Sequence, residues 1–568
     1  MKNTVENTKK YVADFETLTL TDEEIKQGKN TYVWAWAITD TDNVDNVFYG
    51  TDIKSFIKHL AKLNSGSYVY FHNLKFDGNF IINYLLQNNF VEVPKQKFMP
   101  EYSFTALVSE LGTWYNIIIK FKKTTIKIYD SYKKLPFSVD KLAKDLGYEE
   151  GKGKIDYHEY RAEGGKLSNE DKDYIRRDVQ IVAKALKDVC FSKGLYGMTI
   201  GSDCMNMYKE TCPKFNELFV ELPKNIDEFC REAYKGGYCY VNPKYQEKLH
   251  KISGSTYDYN SMYPSVMVSP YKYPYGEPVY YSGMYEKIPF YPLFIQHFKA
   301  AFILKDGYVP TVQIKNNICY RDTEYLNEVL EPVELYMTNI DFDIFIEHYD
   351  IMYFEPIDGY AFRACTGMFD KYINYWYKFK EEATLKGDKV ERLLAKLALN
   401  NLGGKFGTNT NATKQSFRVE NDVLRHSYIT EEKKSVYVPV AAFMTSYARQ
   451  ELFKAIQANY DVFCYCDTDS VHILADEAKG LKVHDSALGH WKKESTWTAA
   501  KFLRQKTYAE LINGKWEIKG CGMNDEVKAN VKDINDFKIN AEFSGKKITK
   551  HVKGGIVIRE TTFKILPI

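Results

Sequence analysis

The chain has 568 residues, 45% of them hydrophobic, and its 77 Lys and Arg stand against 75 Asp and Glu for a formal net charge of +2. This excludes a mainly disordered chain, and at about 100–200 residues per domain it implies roughly three to five domains or subdomains. No run reaches about 18 apolar residues, the opening segment MKNTVENTKKYVADFET has no apolar core, and the ten Cys form no CxxC pair, so the expectation is a cytoplasmic chain with reduced thiols that neither enters a membrane nor is secreted.

In chain order, Tyr11–Thr17, Thr31–Ile38 and Tyr68–Phe71 read as strands, and Phe80–Leu86 starts a helix. Ile117–Ile119 and Ile126–Tyr129 read as a hairpin around the basic turn Lys120–Lys123. Asp171–Val189 is an amphipathic helix with Ile175, Val179, Val182 and Leu186 on one side. Gly194 and Gly197 mark a boundary that closes an α/β domain at about 195. Gly254–Tyr259 reads as a strand, and a Pro- and Tyr-rich insert runs from Tyr271 to Arg363. That insert is too long and too apolar for a plain loop, so it should fold on its own. Thr366–Lys405 reads as helical, and strands are expected at Val436–Val440 and Val462–Ile473. The tail from Ala541 is basic. The 46 Tyr and 34 Phe suit base stacking, but the near-zero net charge requires any nucleic-acid surface to be local.

Two sets of acids carry the chemistry. Asp14 and Glu16 lie two apart on a strand and so share a face. Burying both carboxylates is unfavourable through desolvation and repulsion, and a divalent cation resolves both problems. Asp77 follows a strand and opens a helix, where α/β folds place ligand-facing groups. Tyr174 and Asp178, four apart on a helix, share a face. Four acids from three elements would hold two metals about 4 Å apart, activating a water against a phosphodiester, with Tyr174 orienting that water.

These segments, Asp14-x-Glu16, Asn73-x3-Asp77 and Tyr174-x3-Asp178, resemble the three motifs of the proofreading 3′–5′ exonuclease domain of DNA polymerases, an RNase-H-like fold. The resemblance implies Lys152 as a catalytic residue and His72, Asn73, Phe76, Ser131 and Tyr132 as contacts to single-stranded DNA. Lys154 stands where close relatives of that domain carry an acid.

The second set centres on Val462–Ile473, two apolar strands around an acidic turn that lifts Asp467 and Asp469 out of a buried sheet. Asp258 ends another strand just before Tyr259-Asn260-Ser261-Met262-Tyr263-Pro264. Asp258 and Asp469 on adjacent strands would bind two Mg²⁺ against a triphosphate. Arg392–Lys405 is a helix with Lys396 and Asn400 on one face.

The Asp258–Pro264, Arg392–Lys405 and Val462–Ile473 segments resemble motifs A, B and C of the family B DNA polymerases, and over essentially its whole length the chain is similar to the protein-primed members found in small tailed bacteriophages. The resemblance implies an α/β multidomain architecture: an RNase-H-like exonuclease domain over 1–195, then a polymerase domain over 196–568. The latter divides into palm (196–270 and 437–535), fingers (366–407), thumb (536–568) and two inserted terminal-protein regions (271–365 and 408–436). It also implies Asp258, Tyr259 and Asp469 as metal ligands with Asp467 in the catalytic set, Tyr263 as the gate against the ribose 2′-OH, and Lys380, Lys396 and Asn400 at the incoming nucleotide. Tyr234, Gly236 and Gly237 would link synthesis to degradation, and Lys506 and Tyr508 would steady the primer end. Cofactors would be Mg²⁺, with Mn²⁺ as the alternative, and deoxynucleoside triphosphates would be the substrates. Partners would be primer-template DNA, single-stranded DNA and a terminal priming protein, met by a monomer in the host cytoplasm. The second terminal-protein region implies strand displacement and processivity. In motif B the family pattern Asn-Ser-x-Tyr-Gly is replaced by Asn400-Asn401-Leu402-Gly403-Gly404, which removes an aromatic ring. The competing readings are a standalone metal-dependent exonuclease and a DNA-binding protein with an inactive second half.

Overall fold

The structure is a computed structural model that describes residues 6–94, 98–149, 151, 153, 155–156, 159–315, 319–409, 411–432 and 436–567. Its N-terminal part is built on an eight-stranded mixed sheet. The centre of that sheet is Lys10–Thr17, paired in parallel with Tyr68–Phe71, which in turn pairs in parallel with Thr125–Asp130. Val12, Val69, Tyr70 and Ile128 are buried, as central strands covered on both faces require. The helix Asn169–Ala185 covers one face through Ile175, Val179 and Val182. Ser168 caps it and Asp171 closes a capping box, which is why the helix begins where the sequence turns from polar loop to apolar period.

The second part carries a five-stranded sheet in the order Trp491–Trp497, Gly254–Tyr259, Ser470–Ile473, Phe463–Asp467, Cys239–Val241. The expected hairpin is present as Phe463–Asp467 and Ser470–Ile473, with Thr468 at positive φ in its tight turn. The Thr366–Lys405 region forms two antiparallel helices, Asp370–Lys386 and Lys389–Phe406, parted by Gly387 in the left-handed conformation. The insert is a four-stranded sheet, Lys272–Ser282, Tyr349–Thr366, Leu293–Leu304 and Glu328–Thr338 in spatial order, around its own core of Phe298, Phe302, Phe345 and Tyr349. Two further hairpins, Asn411–Glu420 with Val423–Glu432 and Glu542–Val552 with Gly555–Lys564, lie against the N-terminal part.

One expectation fails. Val436–Val440 is not a strand; it leads into the 20-residue helix Pro439–Ala458, with Pro at its first position. That helix is buried nearly all round, from Val440 through Arg449. It therefore lacks the polar face that gives an amphipathic helix its period, and its opening apolar run is indistinguishable from a buried strand.

The same helix holds a buried ion pair. Arg449 grips Asp341 of the insert (Nη2–Oδ2 2.7 Å, Nε–Oδ1 3.0 Å) and donates from Nη1 to the carbonyls of Lys235 and Gly236. Despite burial, the Arg449 charge holds Asp341 below the usual carboxylate range. Arg449→Ala strands a buried carboxylate, so urea unfolding should show a loss of about 3 kcal/mol. A loss under about 1 kcal/mol would mean that the pair contributes little to joining the insert to the sheet.

Candidate active sites

The first site is a cleft of about 240 Å³ lined by Asp14, Glu16, His72, Asn73, Phe76, Asp77, Tyr174 and Asp178, with Val557 and Ile558 of the C-terminal hairpin as its far wall. One ligand atom from each of Asp14, Glu16 and Asp178 lies within 4.8 Å of the others. Period-two geometry brings the first two to one face of the strand Lys10–Thr17, and the Asn169–Ala185 helix packed on that strand supplies the third. Asp77 opens the helix Asp77–Gln87 and stands just outside this trio. Burial and then the charge of Asp14 push its pKa well above the carboxylate range, against the pull of the Asp77 and Phe15 N–H groups. Acids held this close and this dry fit a divalent cation, which would relieve the repulsion that raises Asp77.

Tyr174 is buried beside the trio, its ring 3.0 Å from where a Cβ on Gly153 would stand. Asn73 takes a positive φ, and its N–H donates to buried Asp130 at 3.0 Å, so Asp130 shapes the loop that precedes Asp77. The sequence pattern gave no reason to single out Asp130. Ser131 is fully buried, donates to the Phe71 carbonyl and lies 2.9 Å from His72 Nδ1. It braces His72 from behind and does not line the cleft, nor does Tyr132, which is partly exposed with its ring edge-on to His72. Lys152 and Lys154 lie outside the described residues.

The second site lies on the five-stranded sheet. Asp258 pairs in register with Ser470, the residue after Asp469, and the Tyr259 N–H donates to the Asp469 carbonyl at 2.7 Å. Burial and the neighbouring Asp469 raise Asp258 to about 7. Burial, with Asp467 and Glu494 adding to it against the Asp469 N–H, raises Asp469 to about 6. Two neighbouring acids whose pKa values are both raised form a centre suited to a divalent cation, which would favour their ionised forms. Asp467 behaves differently, because Lys506 Nζ spans both its oxygens at 2.7 and 2.8 Å. It is thus committed to a lysine while Asp258 and Asp469 face each other. Lys506 itself is at positive φ, its N–H held by the Tyr465 hydroxyl. Tyr508 packs against Tyr465 and His472.

The residues around this centre come from four directions. Tyr263 follows Ser261, which takes a positive φ and turns the chain from the Asp258 strand into the short helix Met262–Met267. Burial raises the Tyr263 hydroxyl pKa, with Asp469 and Asp467 among the nearby charges and Arg449 opposing them. Lys380 reaches Ser261 Oγ at 3.5 Å, and burial followed by the charges of Arg392 and Lys396 lowers its pKa. Arg392 lies one turn before Lys396, on the same side of its helix. It joins the two expected lysines as a third cation, which only the juxtaposition of the two helices reveals. Asn400 is exposed one turn beyond Lys396. A Cβ on Gly237 would come within 2.5 Å of Thr468 Oγ1, and the Thr468 N–H donates to the Tyr238 carbonyl, so the Tyr234–Gly237 segment rests directly on the acidic turn. The Tyr234 ring covers Gly407, where a Cβ would meet its hydroxyl at 2.4 Å. At Gly403 a Cβ would stand 2.2 Å from Met444 Sδ, so the space beside this helix position is filled from the buried helix Pro439–Ala458.

A sequence model of the family described as DNA polymerase type B, organellar and viral, matches residues 61–164 and 158–479. The chain is 38% identical to the DNA polymerase of Bacillus phage Nf over a 588-position alignment covering 98% of this chain and 99% of that one. It is 33% identical to the DNA polymerase of Streptococcus phage Cp-1, with 98% of each chain covered. Among solved structures it superposes on Phi29 DNA polymerase complexed with primer-template DNA and incoming nucleotide substrates at a TM-score of 0.90 and 36% identity, over 98% of this chain and all of that one. The same enzyme complexed with single-stranded DNA matches at a TM-score of 0.89.

Proposed function

Since the chain belongs to the organellar and viral type B DNA polymerases and thus performs DNA-directed DNA synthesis, we propose that Asp258 and Asp469 form its synthetic centre and that Asp14, Glu16, Asp77 and Asp178 form a 3′–5′ proofreading centre. The observation that carries this reading is the presence of two separate, largely buried groups of carboxylates, in which burial and neighbouring acids raise the pKa of Asp77, Asp258 and Asp469. Both sets fit Mg²⁺, which when bound would lower the pKa of the attacking hydroxyl or water and neutralise the leaving oxygen. At the synthetic centre Asp258, Asp469 and the Tyr259 backbone would hold it. Lys380, Arg392 and Lys396 present three positive charges to the triphosphate, and Asn400 flanks them. Lys506 and Tyr508 steady the primer end, with Asp467 holding the Lys506 ammonium in place. In this segment Gly237 meets the acidic turn, the Gly236 carbonyl accepts from Arg449 and the Tyr234 ring covers Gly407, a placement suited to passing a primer end between centres. At the editing centre Tyr174 orients the attacking water, while His72, Asn73 and Phe76 flank the strand end, with Tyr132 beside His72.

Initiation from a protein primer is the mode we favour. The 271–365 insert has a core of its own around Phe298 and Phe345 and exposes Leu330 (66%) and Met352 (66%) near the Phe302 end of its sheet, apolar side chains available to a protein partner. Its test is primer-free synthesis on a linear template with and without a candidate priming protein. The whole proposal is tested by supplying a primed template, deoxynucleotides and Mg²⁺. The chain should extend the primer in template order and, without nucleotides, degrade a labelled single strand from its 3′ end. Extension without degradation would remove the editing half of the proposal.

The sugar gate gives a finer test. A Tyr263 ring held beside Asp469 would leave room for a 2′-hydrogen but clash with a 2′-hydroxyl. Tyr263→Val should raise ribonucleotide incorporation efficiency relative to deoxyribonucleotide by about tenfold or more. If both sugars slow together with an unchanged ratio, Tyr263 is a packing residue and the gate lies elsewhere.

A further inference from the structure

Next to the synthetic centre the five-stranded sheet carries a buried pair of titratable groups that the proposed chemistry does not use. His472 Nδ1 lies 2.7 Å from Glu510 Oε1, and the two side chains are 1% and 6% exposed. Thr256 Oγ1 donates to the same Glu510 oxygen at 3.0 Å and accepts from Trp497 Nε1 at 3.2 Å. With the imidazole proton on Nδ1, that oxygen accepts from both His472 and Thr256. On the other side of the ring, Nε2 faces Ser470 Oγ at 3.5 Å.

This network shares a face with the acids. Thr256 pairs in register with His472, and Asp258 with Ser470, while Tyr465 and Asp467 pair with the same two residues from the next strand. In-register partners point to one face of a sheet, and so do residues two apart on a strand. Thr256, His472 and Tyr465 therefore form the row of side chains beside the row of Asp258 and Asp467. The strand Thr507–Ile512 lies over these rows. Lys506, just before it, spans Asp467; the Tyr508 ring meets those of Tyr465 and His472 at 4.8 and 4.9 Å between centroids; Glu510 meets His472 and Thr256. Lys506, Tyr508 and Glu510 are thus one series at two-residue spacing, each fixed to the sheet below. The ties differ in strength. Lys506 and Asp467 are 53% and 28% exposed, so water screens much of their attraction. The bonds to the Glu510 carboxylate are closed to water and charge-assisted.

We propose that His472 and Glu510 are positioning residues of the synthetic centre. Their buried bonds fix the strand bearing Lys506 and Tyr508 against the strand bearing Asp258, and so set where a primer end is held relative to the acids. The proposal rests on the reading that Asp258 and Asp469 carry out synthesis and that Lys506 and Tyr508 steady the primer end. The half-exposed Lys506–Asp467 pair cannot supply this rigidity by itself. Loosening the strand lets the primer end leave the synthetic centre more often, which shifts the balance on a paired primer toward degradation.

The test uses the full chain with Glu510→Leu, with His472→Phe and Glu510→Leu combined, and with Lys506→Ala as the reference for a lost primer contact. Two quantities are read well below each thermal midpoint: the rate of degradation of a labelled single strand, and the nucleotide concentration at which extension of a paired primer overtakes its degradation. A misplacement of about 1 Å can cost about 100-fold in rate, so Glu510→Leu should raise that concentration by about tenfold and leave single-strand degradation within about twofold of wild type. Glu510→Leu also leaves the His472 and Thr256 donors unbonded in the interior, which lowers the midpoint. The double variant replaces the pair by apolar groups of similar shape and should regain much of that loss. Its nucleotide requirement should stay raised, because apolar contacts do not restore directional bonds. A wild-type requirement in Glu510→Leu, or one that recovers together with the midpoint in the double variant, overturns the proposal and assigns the pair to packing. If Glu510→Leu loses single-strand degradation and so does not fold, Glu510→Gln decides, since it keeps the shape and an accepting oxygen but not the charge. A rise of about threefold in its requirement supports the proposal, and the wild-type value overturns it. Lys506→Ala separates this inference from its premise. If Lys506→Ala raises the requirement and the Glu510 variants do not, only the positioning role fails; if neither does, the reading of Lys506 and Tyr508 as primer contacts fails.

Discussion

Asp469→Ala is expected to lower templated nucleotide addition by at least about 10³-fold at saturating nucleotide, while degradation of single-stranded DNA persists. The reason is positional. Asp469 leaves the hairpin turn beside Asp258, and burial with repulsion from neighbouring acids holds both above the usual carboxylate range. Removing Asp469 relieves Asp258 but leaves one carboxylate where the chemistry needs two. Asp258→Ala should behave alike. Asp467→Ala should be milder in comparison, because its oxygens are spanned by Lys506 and its loss chiefly frees that ammonium. Single-turnover primer extension measures all three. A loss under tenfold for Asp469→Ala would sink the assignment of this centre.

The converse substitution, Asp14→Ala with Glu16→Ala, should abolish 3′–5′ degradation of a labelled single strand while templated synthesis survives. These two residues supply two of the three carboxylates whose ligand atoms lie within 4.8 Å of one another. A lone Asp178 would hold a cation poorly, and Asp77 stands outside the trio. The double variant should fold as well as the wild type or better, since it loses two crowded acids from a strand that is otherwise apolar at Val12, Ala13 and Phe15. Degradation at the wild-type rate by this variant would mean that the cleft is not the editing centre.

Much of this was legible in the sequence because it is written locally. Asp14 and Glu16 share a face through the two-residue period of a strand, Tyr174 and Asp178 through the four-residue return of a helix, and the Asp467–Asp469 turn stands out between two apolar strands. The order of these segments, with Asp258 and the Lys396 helix, was enough to indicate an exonuclease-like part followed by a polymerase-like part. That the insert carries a core cluster of its own followed from its length and apolar content.

Other features depended on the packing of distant segments. The start of the helix Pro439–Ala458 reads as a strand because total burial erases the amphipathic period, and only its neighbours make that helix favourable. Ser131 shares its loop with exposed Tyr132, yet sits behind His72 because the Thr125–Asp130 strand delivers it to the interior. Arg392 became a third cation beside Lys380 and Lys396 only when two helices folded back on each other at Gly387. Asp467 was grouped with its neighbour two residues on, and a lysine 39 positions away separated their roles. The sequence by itself therefore determined which acids exist, on which elements and in what order, since period and turn chemistry act within a few residues. Tertiary structure decided which of those charges face one another and which are neutralised, since electrostatic interaction and burial depend on distance in space.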